Sequence, residues 1–193
     1  TQLSKEILSQ LREAIKPGVY PIELDILAGE LCKKNGVRSS FKGVVSGHLT
    51  YGFNSCISVN DEILHGIPSD KRKIQAGDLV KIDFGIIYQG FYTDHCFTVG
   101  VGSISAEDQK LLEIGREAVL NAVKLAKPGN TAGDLGFAMH NTSYKAGFDT
   151  LKQYVGHGIG KSLHENPEIP AFGKPGAGAK LEKNMIICVE CQV

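Results

Sequence analysis

The chain has 193 residues, 42% of them hydrophobic, and its 21 Lys and Arg balance 21 Asp and Glu to a net charge of +0. One sizeable core in one domain is expected, and no basic face points to a nucleic-acid partner. No apolar run approaches the roughly 18 residues that a membrane span needs, and the amino-terminal TQLSKEILSQLREA is amphipathic rather than a signal-peptide core; a soluble, cytoplasmic protein is expected.

Leu3, Ile7, Leu8, Leu11 and Ile15 recur at helical spacing and stop at Lys16-Pro17-Gly18, because proline cannot continue a helix. A second helical stretch, Ile22 to Lys34, closes on Gly36. Next comes the strand-like SCISV, followed by Asn60-Asp-Glu-Ile-Leu-His65-Gly-Ile-Pro68, which puts a histidine on a turn. The runs KIDFGII and FYTDHCFTV, joined by Tyr88-Gln89-Gly90, predict a hairpin. A loop at Tyr88-Gln89 sets Asp83 directly opposite Asp94, while a loop at Gln89-Gly90 shifts the pairing by two. Both registers leave the two carboxylates on one face, since side chains alternate with period two. Bare acids so placed repel each other, whereas two ligands of a metal cluster belong together.

The helical spacing returns in Leu111, Leu112, Ile114, Ala118, Val119, Ala122 and Val123, which end at Lys127-Pro128-Gly129, and a fourth helical stretch, Asp134 to Lys145, closes on Gly147. IQAGDLVKID (74–83) also matches LEKNMIICVE (181–190), each predicted as a strand with an acid at its end. Two helices followed by strands, repeated once, read as a duplicated α+β unit with halves about a pseudo-two-fold axis. The first copy continues past Asp83 through its hairpin, whereas the second stops three residues after Glu190, so carboxyl-terminal strands are expected to be missing.

Tyr154-Val-Gly-His157-Gly-Ile-Gly160-Lys-Ser-Leu-His164-Glu-Asn-Pro167 carries two histidines in a glycine-bounded segment, which suits metal binding or polarisation of a reacting group. It is not a phosphate loop, because Val155 stands where that pattern requires glycine, and its glycine spacing is not that of a dinucleotide fingerprint. His48, His95 and His140 lack such a setting and read as structural or surface residues. The five cysteines, Cys32, Cys56, Cys96, Cys188 and Cys191, form no CxxC pair, and most are expected to be small core residues.

NDEILHGIP, KIDFGIIYQGFYTD, GHGIGKSLHENP and the late strand ending in Glu190 together resemble, in order, the motifs of the methionine aminopeptidase family, in its type I form. The wider class includes the Xaa-Pro peptidases. The resemblance implies a duplicated pita-bread fold, an antiparallel sheet with helices on one face, here as a single domain over 1–193. It implies two divalent metal ions held by Asp83, Asp94, His157 and Glu190, with a second bridging glutamate expected beyond Val193. His65 would lie near the scissile bond and the amino end of the substrate, His164 would stabilise the tetrahedral intermediate, and Glu190 would move a proton. Tyr51, Phe53 and Cys56 resemble the apolar wall of a methionine pocket. Carboxylates with one imidazole suit Mn²⁺, Fe²⁺, Co²⁺ or Zn²⁺. The implied substrate is the amino terminus of a peptide or nascent polypeptide, without nucleic acid or membrane, and the protein is expected to be a monomer. Cys191 replaces the family's usual proline, and Leu163 stands where an aromatic is frequent and leans towards the proline-specific relatives. An Xaa-Pro aminopeptidase or dipeptidase and a catalytically inactive pita-bread binding module are therefore the alternatives.

Overall fold

The computed structural model describes residues 2–193, which divide into two compact units between Asp108 and Gln109. The first unit opens with α1 (Gln2–Ala14) and α2 (Pro21–Lys34). Ile7, Leu8 and Leu11 bury one face of α1, as their spacing requires. Pro21 occupies the first turn of α2, where its missing N–H costs nothing, and the Glu23 carboxylate accepts from the Tyr20 N–H at 2.7 Å.

Eight strands follow: β1 (Arg38–Ser39), β2 (Val45–Ser46), β3 (Leu49–Thr50), β4 (Cys56–Val59), β5 (Leu79–Phe84), β6 (Ile86–Tyr88), β7 (Phe91–Tyr92) and β8 (His95–Gly100). They pair antiparallel as β4-β5-β8, β1-β6-β7 and β2-β3. On β5, Val80, Ile82 and Phe84 are buried, while Leu79, Lys81 and Asp83 alternate with them on the half-buried face. The buried set packs with Ile7 and Leu11 of α1 and Leu24, Ala28 and Leu31 of α2. The two helices therefore cover one face of the sheet, and Asp83 points to the other. Phe84 is fully buried in this core. Phe84→Ala is expected to lose about 3–5 kcal/mol of stability through lost burial and the cavity left behind. Denaturant unfolding of the metal-free protein measures the loss.

The second unit contains most of α3 (Ala106–Leu125), α4 (Ala132–Lys145), β9 (Gly156–Gly158) and β10 (Glu165–Ile169). Thr131 caps α4 in a reciprocal box with Asp134, satisfying donors the helix itself leaves open. Ala118, Ala122, Leu135, Met139, Ile169 and Leu181 form its core, and β9 and β10 pair antiparallel.

The duplication is legible in hydrogen bonds. In the first unit Gly18 N–H donates to Ile74 O at 2.8 Å and Ile74 N–H to Val19 O at 2.8 Å. In the second, Gly129 N–H donates to Leu181 O at 3.0 Å and Leu181 N–H to Asn130 O at 2.8 Å. Each proline-glycine turn thus ties to the start of the matched stretch, Ile74 in one unit and Leu181 in the other.

The strands expected over 74–83 and 181–190 need correction. Each stretch begins with a turn in the left-handed region, at Gly77 (φ 94°) and Asn184 (φ 71°), so β5 starts only at Leu79. After Asn184 the chain forms no named strand. It runs beside β9, with a bridge between Gly158 and Ile187 and paired hydrogen bonds between His157 and Cys188. A partner of three residues supports only a short ladder, and Ile186 remains exposed.

Candidate functional site

In the first unit Ile87 pairs with Tyr92 and Tyr88 with Phe91, so the hairpin loop is Gln89-Gly90. Both loop residues have positive φ, 51° and 77°, the turn whose twist matches antiparallel strands. The same register carries into β5 and β8, where Asp83 pairs with Cys96 and Phe84 with His95. Of the two registers left open by the sequence, the shifted one is adopted. Asp94 precedes β8 by one residue and lies two residues from Cys96, on Asp83's face.

Asp94 is held from both sides. Ile86 N–H donates to Thr93 Oγ1 at 2.9 Å, Thr93 Oγ1 donates to Ser4 Oγ at 3.1 Å, and Ser4 Oγ bonds His95 Nδ1 at 3.2 Å. Burial lowers the pKa of His95 against the pull of Asp94. The Ser4 hydroxyl thus ties His95 to α1.

On the other edge of β5, Cys56 pairs with Asp83. Burial pushes the Cys56 thiol up to about 12; the Tyr51 hydroxyl opposes this, and the charges of Asp83 and Asp94 add to it. Tyr51 donates its O–H to Ser55 O at 2.8 Å and meets Phe53 edge-on, ring centroids 5.7 Å apart. Burial raises the Tyr51 phenol as well. His65 takes the left-handed φ of 54°, uncommon for a residue with a side chain and worth noting at a site. Its neighbour Gly66 is pinned to β4: Ile57 N–H donates to Gly66 O at 2.9 Å and Gly66 N–H to Ser58 Oγ at 3.1 Å. A Cβ at Gly66 would lie 2.3 Å from Ile57 O, so only glycine lets the loop come this close. Surrounding protein lowers the His65 pKa, the Asp94 carboxylate pulls it up, and Lys81 adds to the lowering. Asp83, Asp94, His65, Cys56 and Tyr51 thus gather on one side of the first unit.

In the second unit His157 is buried on β9. A Cβ at Gly156 would meet Cys188 O at 2.3 Å, and one at Gly158 would meet Asn166 O at 2.2 Å. Both flanking glycines are thus required by close backbone approach. His157 Nδ1 sits 2.8 Å from Gly158 O, a contact that assigns the proton to Nδ1 and leaves the lone pair on Nε2. Nε2 lies 3.8 Å from Glu190 Oε1, and Gln192 Nε2 donates to Glu190 Oε2 at 3.1 Å. The His164 ring meets His157 edge-on, centroids 4.5 Å apart. His157, His164 and Glu190 are therefore together in the second unit.

Two features escaped the sequence. Cys188, one of five cysteines of which most were expected in the core, is half-buried and faces His157 across paired backbone bonds; its spacing of two from Glu190 was the available signal. Asp25, buried on α2, carried no motif at all.

Side chains able to hold a metal ion include Asp94 of the first unit and His157 and Cys188 of the second. Half-buried carboxylates and an imidazole with its far nitrogen tied to a carbonyl fit a divalent cation. An α+β fold of antiparallel sheets and helices carries these donors. The chain belongs to metallopeptidase family M24, whose model matches residues 1–193, and within it to the methionine aminopeptidase family. It is 39% identical over 190 residues to a methionine aminopeptidase of Clostridium perfringens, covering 97% of this chain and 74% of that one. The crystal structure of methionine aminopeptidase from Thermotoga maritima superposes with a TM-score of 0.90 at 36% identity, over 96% of this chain and 73% of that one. A prolidase from Pyrococcus horikoshii superposes with a TM-score of 0.83 at 28% identity, over 98% and 51%. Among the described residues, no helix is long and apolar enough to cross a membrane.

Proposed function

We propose that the protein removes the amino-terminal methionine from peptides and nascent polypeptides in the cytoplasm, with two divalent metal ions held by Asp83, Asp94, His157 and Glu190. The observation that carries the hydrolytic reading is the register that puts Asp83 and Asp94 on one face of the first unit's sheet. Two adjacent acids on a half-buried face are costly alone and favourable around cations. The two units, as copies of one pattern, are read together as one metallopeptidase domain.

Bound metal would supply Lewis acidity, lowering the pKa of water towards neutrality and polarising the scissile carbonyl. Glu190 would take the proton from the attacking water and deliver it to the leaving amine. His164 would donate a hydrogen bond where negative charge grows on the carbonyl oxygen. His65 would hold the amino end of the substrate, and Tyr51, Phe53 and Cys56 would wall the pocket for the methionine side chain. The likeness to the Thermotoga maritima methionine aminopeptidase, at 36% identity and a TM-score of 0.90 against 28% and 0.83 for the prolidase, supports methionine as the first residue.

The test is turnover of a Met-Ala-Ser peptide beside an Ala-Pro peptide by the metal-loaded protein. kcat/KM is expected to favour Met-Ala-Ser by about 100-fold or more, the discrimination expected of a pocket shaped for one side chain. Cleavage confined to the proline peptide would instead assign an Xaa-Pro peptidase, and cleavage of neither a binding module.

A further inference from the structure

Asp25 takes no part in the chemistry proposed above, yet it is 4% exposed and accepts hydrogen bonds from two successive residues of a distant loop. Its Oδ1 accepts from Asn54 N–H, Ser55 N–H and Ser55 Oγ, each at 2.8 Å. Its Oδ2 accepts from Asn54 Nδ2 at 3.2 Å. All four bonds come from neutral groups, so a buried anion is solvated by two backbone amides, a hydroxyl and a carboxamide.

The same loop is held from two further directions. Gly29, one turn after Asp25 on α2, leaves room for the Asn54 amide, since a Cβ there would lie 2.8 Å from Asn54 Nδ2. Ser39 Oγ donates to Asn54 O at 2.6 Å. What hangs on this clasp is the apolar wall. Ser55 O receives the Tyr51 hydroxyl at 2.8 Å, Phe53 precedes Asn54 and packs on Tyr51, and Ser55 leads into Cys56, the cross-strand partner of Asp83. Every side chain assigned to the pocket wall is thus within two bonded or hydrogen-bonded steps of Asn54 and Ser55.

We propose that Asp25 is a positioning residue for the substrate pocket, with Gly29 seating Asn54 so that the carboxylate fixes where Tyr51, Phe53 and Cys56 stand. This rests on the reading that those three residues bind the substrate's first side chain. An apolar residue at this position would leave two backbone N–H groups and a hydroxyl without their acceptor. An asparagine would not serve either: Oδ1 could keep its three bonds, but an amide nitrogen would face Asn54 Nδ2, donor against donor.

The experiment measures kcat and KM of the metal-loaded protein on Met-Ala-Ser and Leu-Ala-Ser peptides. Thermal unfolding of each variant confirms that it folds. Asp25→Asn is expected to raise KM for the methionine peptide about tenfold, to narrow the preference for methionine over leucine, and to leave kcat within about twofold. Gly29→Ala moves the same parameters without touching charge. Cys56→Ala tests the underlying reading separately: unchanged KM and selectivity in that variant mean that the wall does not bind substrate. If Cys56→Ala shifts both while Asp25→Asn and Gly29→Ala match the wild type, or lower kcat alone, the positioning role is overturned. Should Asp25→Asn not fold, Gly29→Ala decides between these outcomes.

Discussion

Asp83→Ala and His157→Ala are each expected to lower kcat/KM for a Met-Ala-Ser peptide by about 1,000-fold or more, with the fold retained. Outer groups that merely orient a metal ligand are worth 10–100-fold, so loss of a ligand itself should exceed that range. The fold survives because neither side chain belongs to a core. Asp83 alternates with Val80, Ile82 and Phe84 on β5 and points away from the helices that bury them. His157 is buried, but its backbone bonds to Cys188 do not depend on the ring. In the metal-free protein, Asp83→Ala should unfold at the same temperature as the wild type or higher, since it removes one of two neighbouring negative charges. Excess metal restores little, because the lost donor has no substitute on the same strand face. Turnover near the wild type at saturating metal would take the substituted residue out of the site.

How much of this was legible beforehand differs from element to element. The first and third helices followed from 3.6-residue spacing and the two Lys-Pro-Gly stops, because burying one helical stripe imposes that period, and the second and fourth from their place after those stops and their closing glycines, Gly36 and Gly147. The hairpin was legible too, but its register was not: Tyr88-Gln89-Gly90 offers two loops, and only the strain-free positive φ of Gly90 behind Gln89 selects one. The strand at 74–83 was read too long and the one at 181–190 reduces to a bridge at Ile187, since Ala76-Gly77 and Lys183-Asn184 form turns inside runs that still look apolar. The two-residue strands β1, β2 and β3 have no period to read. In the site, the acids and histidines were visible because ionisable groups amid apolar strands and glycines are conspicuous. Asp25 was not, because two of its four partners are backbone N–H groups, which leave no mark in the sequence, and the side chains of Asn54 and Ser55 lie 29 and 30 residues away. Cys188 was overlooked for a related reason, as a thiol beside a histidine differs from a core thiol only by its neighbours.

Gly85→Ala is expected to damage stability and catalysis together. Gly85 lies where β5 ends and β6 begins, opposite the segment that leads to Asp94, and its carbonyl accepts from Ser40 N–H at 3.0 Å. A Cβ built on it would lie 1.7 Å from the Thr93 carbonyl oxygen and 2.4 Å from Ser40 Oγ. Thr93 cannot yield, because its hydroxyl bonds Ile86 N–H and Ser4 and its carbonyl accepts from Ser40 Oγ at 3.1 Å. The clash must therefore be relieved by spreading the two strands, at an expected cost of about 3 kcal/mol. For a chain of this length that corresponds to a fall in Tm of roughly 6–12 °C. The same spreading separates Asp83 from Asp94, and misplacement of a reacting group by about 1 Å can cost 100-fold. Turnover at a temperature where the variant is folded should fall by about that factor. Gly90→Ala in the same hairpin is the comparison: its φ of 77° disfavours alanine, but nothing lies within 4 Å of the added carbon. That change should cost only about 1–2 kcal/mol and leave turnover unaltered. If Gly85→Ala behaved no differently from Gly90→Ala, the close crossing at Gly85 would not be what holds the two carboxylates in place.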